Sequence, residues 1–207
     1  MTSVDTDPDS TRERCLEQAF ALLRDGGGEA VSLRAVARGA KLSATAPYRH
    51  FPSKEAMLAV LAARGFGLFE EQLRAAVPQG IHLMTMASFV DMGVAYVRFS
   101  QEQPEYYRLM FGGLVPDHTQ HPELDQAGAS AFSVLLQAIE VLQRMEQIRP
   151  GNPRQLAAHV WSVCHGFSSL LMARKFSRVE GFGDWEQEFR AHQGLLMQGL
   201  APCRGAE

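Results

Sequence analysis

No stretch of this chain alternates apolar and polar residues for long enough to make a half-buried strand. Its apolar residues recur at three- and four-residue spacing, and Gly, Pro and capping side chains cut that pattern into segments. The chain is therefore restricted to helices packed on helices. The spacing predicts a first helix over about residues 10–24, with Leu16, Ala19, Phe20 and Leu23 on one face, stopped by the glycines of "DGGGEA". Ser32 is placed to cap a short second helix, "LRAVARGA", whose apolar face is Leu33, Val36 and Ala37. Another short helix starts at Ser43, and Ser53 caps a fourth that reaches about residue 76. Longer amphipathic segments follow over about 82–101, "PEYYRLMF", about 123–147, about 153–178, and a last one capped by Asp184 that ends near residue 200. The expected fold is all-α, with a tail over residues 1–9, a short-helix head over 10–55 and a long-helix body over 56–207.

Composition narrows the function classes. A chain of 207 residues that is 46% hydrophobic and 21% charged has enough apolar surface for a sizeable core. It contains no uncharged apolar run of about 18 residues, so no membrane-spanning helix is expected. The polar, acidic N-terminus lacks a signal core, and a cytoplasmic location is expected. Cys15, Cys164 and Cys203 form no CxxC pair, which fits reduced thiols. The net charge of −3 hides an asymmetry: residues 30–54 carry five cations (Arg34, Arg38, Lys41, Arg49, Lys54) and no acid. Residues 69–207 carry eleven Lys or Arg against fifteen Asp or Glu. A basic head on an acidic body suits a polyanionic partner.

The head also has the pattern of a helix-turn-helix, two short helices joined by "GAKLS". In such a pair the second helix enters the DNA major groove with its N-terminal residues at the base edges. Pro47 is tolerated four residues after a Ser43 cap, where its missing N–H falls at the first bond of the helical ladder. Tyr48, Arg49 and His50 offer hydroxyl, guanidinium and imidazole groups suited to phosphate oxygens. Lys54, in the first turn after Ser53, is expected to aim a mobile charge the same way. Base reading then falls to Ala44, Thr45 and Ala46, with Arg34 and Lys41 at the margin.

The string "SLRAVARGAKLSATAPYRHFPSKEAML" resembles the N-terminal signature of the TetR/AcrR family of bacterial transcriptional regulators, over about residues 10–60. The resemblance implies a three-helix DNA-binding head, an all-α ligand-binding and dimerising body, and repression relieved by a small molecule. It implies phosphate contacts at Tyr48, His50 and Lys54, a recognition helix over residues 43–49 that begins at Ser43, and a core role for Phe51. Ser32, at the N-terminal cap of the helix before it, and Pro47 within the recognition helix are also expected among the DNA-binding residues. The family's turn resembles Ala-Gly-Val-Ser, whereas here Lys41 takes the place of the glycine, at a cost of about 1 kcal/mol if it is left-handed. Trp161, His165 and Gly166, with "YYRLMFG" upstream, resemble a C-terminal subtype named for its Trp-His-Gly pattern.

In the body, Phe89, Met92, Tyr96 and Phe99 share a helix face, and Trp161, His165, Ser168 and Ser169 face them as an expected pocket wall. Tyr107, Met110, Phe111, Phe132 and Leu136 are expected nearby. Leu170, Leu171, Ala173, Phe189, Leu195, Leu196 and Met197 are candidates for a two-fold dimer interface built by the last two long helices. His118, His121, Asp117 and Glu123 cluster in a loop, but no HExxH or CxxC spacing occurs and no metal or other cofactor is expected. No nucleophile, base and orienting group can be picked out, so no enzyme is expected. The expected partners are double-stranded operator DNA, a second copy of the chain and an unidentified small-molecule effector, with no membrane. The alternative is a helical-bundle small-molecule or lipid-binding protein or enzyme without DNA function.

Overall fold

The computed structural model of the chain describes residues 8–115 and 118–202, and every regular element in them is helical. Most of the expected tail, with Asp117 and Cys203, lies outside those residues, while Pro8 and Asp9 already belong to the first helix. In chain order the described helices are α1 (Pro8–Ala30), α2 (Leu33–Gly39), α3 (Lys54–Ala75), α4 (Met86–Glu102), α5 (Pro104–Phe111), α6 (Pro122–Arg144), α7 (Pro153–Met172) and α8 (Trp185–Leu200). They fall into two compact units. Met1–Phe66 with Glu105–Ala127 forms one, and Gly67–Pro104 with Gly128–Glu207 forms the other.

The first unit is built on α1, α2, the first half of α3 and α5. Helix α1 runs past its expected end into the glycines and kinks at Gly27, whose φ of 68° only glycine adopts without strain. Cys15, Leu16, Ala19 and Leu23 are buried as their spacing predicts, while Phe20 is half-buried and stacks on Tyr106 of α5 at 4.4 Å. From α3 the unit buries Met57, Leu58, Leu61 and Ala62, and Phe66 meets Phe111 edge-on at 5.5 Å. Arg64 of α3 grips the Glu13 carboxylate of α1 with two 2.6 Å bonds. The Arg64 guanidinium holds the Glu13 carboxyl below its ordinary value of 4.5. Stability from this pair is therefore present above pH 4.5 and is lost as the pH falls through the lowered value. Both side chains are partly exposed, so Glu13→Gln should cost no more than about 1 kcal/mol at pH 7. It should also flatten the acid limb of the stability profile in urea titrations. An unchanged acid limb would mean that the pair contributes nothing.

The second unit is organised around α4, which packs on both α7 and α8. Thr85 and Ser88 form a reciprocal capping box, so α4 begins at Met86 rather than near residue 82, and Ile81–Leu83 forms a separate 3-10 turn. Nearly all faces of α4 are covered, with Phe89, Met92, Val94, Tyr96, Val97 and Phe99 buried. Phe69 of α3 lies edge-on to Tyr96 at 5.0 Å and to Phe99 at 5.1 Å. Helix α7 stops at Met172, short of the expected residue 178, because Arg174 turns left-handed at φ 54°. The following 3-10 turn, Lys175–Arg178, brings Phe176 flat onto Phe182 at 4.4 Å and against Phe167 at 4.7 Å.

Candidate nucleic-acid interface and interior cavity

The turn of the head follows from how α2 ends. Leu42 N–H bonds Ala37 C=O at 2.9 Å and Lys41 N–H bonds Arg38 C=O at 3.2 Å, the paired bonds of a Schellman motif. The residue between the helix cap and Leu42 must be left-handed, and Lys41 is, at φ 55°. Lysine thus stands at a backbone position that favours glycine, as expected. Lys41→Gly should raise stability by about 1 kcal/mol, read as a higher urea midpoint. A lower midpoint would mean that the lysine side chain stabilises the folded head. Arg14 of α1 donates to Ala40 C=O at 2.5 Å, which adds a cationic cap to the same helix end.

After the turn, the expected recognition helix over residues 43–49 is not a regular α-helix. Residues 44–46 form a turn and Pro47–Arg49 a 3-10 helix. Proline explains the correction. Pro47 has no N–H to bond Ser43 C=O, and Ala46 N–H takes that carbonyl instead at 3.0 Å. The tighter pattern continues with Arg49 N–H to Ala46 C=O and His50 N–H to Pro47 C=O. The Ser43 hydroxyl lies 3.4 Å from that of Thr45, with no bond to a backbone N–H that would make it a cap. Ser32 does cap α2, accepting from Ala35 N–H, and Ser53 caps α3, accepting from Ala56 N–H.

Buried Pro47 and Phe51 anchor this segment, and Arg12 lies over the Phe51 ring at 5.6 Å. Ser32, Arg34, Lys41, Ser43, Ala44, Thr45, Tyr48 and Arg49 are exposed, while Ala46 and His50 are half-buried. Lys54 is placed differently from its expectation. Its ammonium donates to Gly28 C=O at 2.6 Å, so it ties α3 to the end of α1 rather than standing free. The result is a patch of hydroxyls, small side chains and cations, able to meet phosphates and base edges.

In the second unit a cavity is lined by Leu73, Phe89, Met92, Gly93, Tyr96, Leu135, Val160, Trp161, Cys164 and Gln193. Four of the expected pocket residues, Phe89, Met92, Tyr96 and Trp161, are brought together there. Trp161 Nε1–H donates to the Tyr96 hydroxyl at 3.1 Å, and that hydroxyl lies 3.4 Å from His165 Nδ1. His165 Nε2 sits 3.3 Å from the Ser169 hydroxyl, and burial holds the imidazole below its ordinary pKa. Phe132 borders the Trp161 ring at 6.0 Å. Phe99 packs on Phe69, Leu135 lines the cavity in place of Leu136, and Ser168 is buried outside the lining. Tyr107, Met110 and Phe111 belong to the first unit, where Met110 Sδ would stand 2.9 Å from a Cβ on Gly65. The close approach that glycine permits there draws α5 onto α3. Burial pushes the Cys164 thiol up to about 12, so it stays protonated and unreactive.

Sequence reasoning missed Leu73, Gly93, Val160, Cys164 and Gln193 as lining residues, besides Leu135. Gln193 had a readable signal, because it interrupts the apolar stripe of Phe189, Leu196 and Leu200 on α8. Of the dimer candidates, Leu170 and Leu195 are exposed, Leu195 at 69%, and Ala173 is exposed as well. Leu171 and Met197 are half-buried. Phe189 and Leu196 are buried within their own unit, because that face of α8 packs on α4 and α7. They are not available to a second copy.

Comparison with known proteins agrees with this architecture. Residues 16–61 match the model described as bacterial regulatory proteins, tetR family, and residues 89–193 match the tetracyclin repressor-like C-terminal domain. That description names no Trp-His-Gly subtype, so the subtype rests on the residues alone. The chain is similar to the HTH-type transcriptional repressor KstR of Rhodococcus jostii (strain RHA1), at 46% identity over 55 residues. That stretch is 27% of this chain and spans about a quarter (26%) of the curated relative's length. A protein of unknown function from Rhodococcus sp. RHA1 superposes with a TM-score of 0.79 at 25% identity, over 97% of this chain and 100% of that one. The TetR family transcriptional regulator PfmR from Thermus thermophilus shares the fold, with a TM-score of 0.62 at 21% identity over 89% and 97% of the two chains. With its head and more than half of its length matched by the family's own models, the chain belongs to the TetR family of bacterial regulatory proteins.

Proposed function

We propose that the chain is a cytoplasmic, homodimeric repressor without catalytic activity. In this reading residues 10–55 bind a palindromic operator, and residues 56–207 bind an uncharacterised small molecule that releases it. The observation that carries the proposal is the exposed, acid-free surface from Ser32 to Arg49, built on a Schellman turn and a proline-tightened segment. The likeness of a 55-residue stretch of this chain to a protein named as a transcriptional repressor supports the sign of regulation. Exposed Leu170 and Leu195 on the last two long helices support pairing with a second copy, and a two-fold dimer presents two heads to two half-sites. Release requires the effector to bind the state that does not hold DNA more tightly than the state that does.

The proposal is tested by letting the purified full-length chain select fragments from its own genome. The recovered sequences should share an inverted repeat, and transcription from them should rise when the gene for this chain is deleted. Fragments without shared sequence, or transcription that falls on deletion, would overturn the repressor reading.

A further inference from the structure

The geometry points to an uncharged, mostly apolar effector that carries a hydroxyl group and seats that hydroxyl on the side-chain amide of Gln193. This assignment deepens the proposed effector function and rests on it for the consequence of binding. Gln193 is 1% exposed, and its Oε1 has no hydrogen-bond partner. Its Nε2 donates only to Cys164 Sγ, at 3.6 Å, and a sulfur is a weak acceptor. A buried amide in this state is costly to leave unpaired, and Gln193 is one of the residues that line the cavity. The amide is also held in place. A Cβ on Gly93 would stand 2.6 Å from Nε2 and 3.3 Å from Phe189, so the α4 backbone presses closely against it.

The remaining lining decides the ligand's character. Leu73, Phe89, Met92, Leu135 and Val160 are apolar, and no charged side chain lines the cavity among the described residues. A carboxylate or an ammonium would lose its hydration there and meet no counter-charge. The space is about 30 Å³, room for one hydroxyl-sized group, and it is open on one side, so the carbon skeleton of a ligand extends outward from it. A lone water wants about three hydrogen bonds, more than a wall of mostly apolar side chains offers it. A hydroxyl on a carbon skeleton needs fewer polar partners, since the skeleton takes up the apolar wall. A hydroxyl both donates and accepts, so it also pairs with the amide turned by 180°, in which the NH2 group is left unpaired.

The test uses three probes of one size on the full-length chain: 1-hexanol, its isomer methyl pentyl ether, which has no donor, and hexanoate. Binding is read without DNA, from tryptophan fluorescence in a Trp185→Phe background that leaves Trp161 as reporter, and from thermal shifts. The expected result is 1-hexanol binding about ten-fold tighter than the ether, with hexanoate weaker still. Gln193→Leu should abolish the preference for alcohol over ether and raise the melting temperature of the unliganded protein. Gln193→Met serves in its place if the leucine variant does not fold. Hexanoate binding as tightly as 1-hexanol, an alcohol preference that survives both substitutions, or no binding by any probe would each overturn the assignment. DNA release is measured separately on the selected operator. Alcohol binding without release would sink the effector reading and leave the ligand class standing.

Discussion

Tyr48→Phe combined with Arg49→Ala is expected to weaken DNA binding about 100-fold, by nearly the same factor on operator and random DNA. Tyr48 is 52% exposed and Arg49 is exposed, and among the described residues neither side chain is engaged in a hydrogen bond or ion pair. Both are therefore available to phosphates, which carry no sequence information. The substitutions leave buried Pro47 and Phe51 in place, so stability should change little. Removing one cation should also reduce the slope of log affinity against log salt by about 0.9. Fluorescence anisotropy at several salt concentrations checks both numbers. A loss confined to the operator would move these side chains from phosphates to bases, and no loss would remove them from the interface.

Phe51→Ala should cost about 3–5 kcal/mol of the head's stability. The ring is 2% exposed and lies under the Arg12 guanidinium, while the backbone N–H of residue 51, which alanine keeps, bonds Pro47 C=O. DNA binding should disappear although every exposed polar residue of the patch is retained, and the loss should track the unfolded fraction of the head. Hydrogen exchange resolves this, with faster exchange over residues 33–51 than in the core of the second unit. An Ala variant that binds DNA normally would show that the patch does not depend on this anchor.

Much of the architecture was legible because caps and spacing are local. Ser32, Ser53 and Asp184 accept backbone N–H bonds at the helix starts where their side chains predict them. The Phe89, Met92 and Tyr96 face was readable as a stripe, and its cavity is where Trp161 meets it. What escaped the sequence depends on partners far along the chain. The apolar face of α5 was evident, yet nothing local said that Gly65 would draw it into the first unit. Phe176 reads as a continuation of α7 until Phe182 is seen stacked on it. Lys54 looked free because the Gly28 carbonyl that receives it is 26 residues away. Gln193 was passed over because a glutamine is ordinarily on the surface, and only the packing of α8 on α4 buries it.

The most direct measurement of the central claim is hydroxyl-radical footprinting of the full-length chain on DNA it selects. The account predicts two protected patches of backbone related by two-fold symmetry, centred about 34–36 Å apart, and loss of both in the Tyr48→Phe/Arg49→Ala variant. Continuous protection without symmetry, retained by that variant, would contradict it.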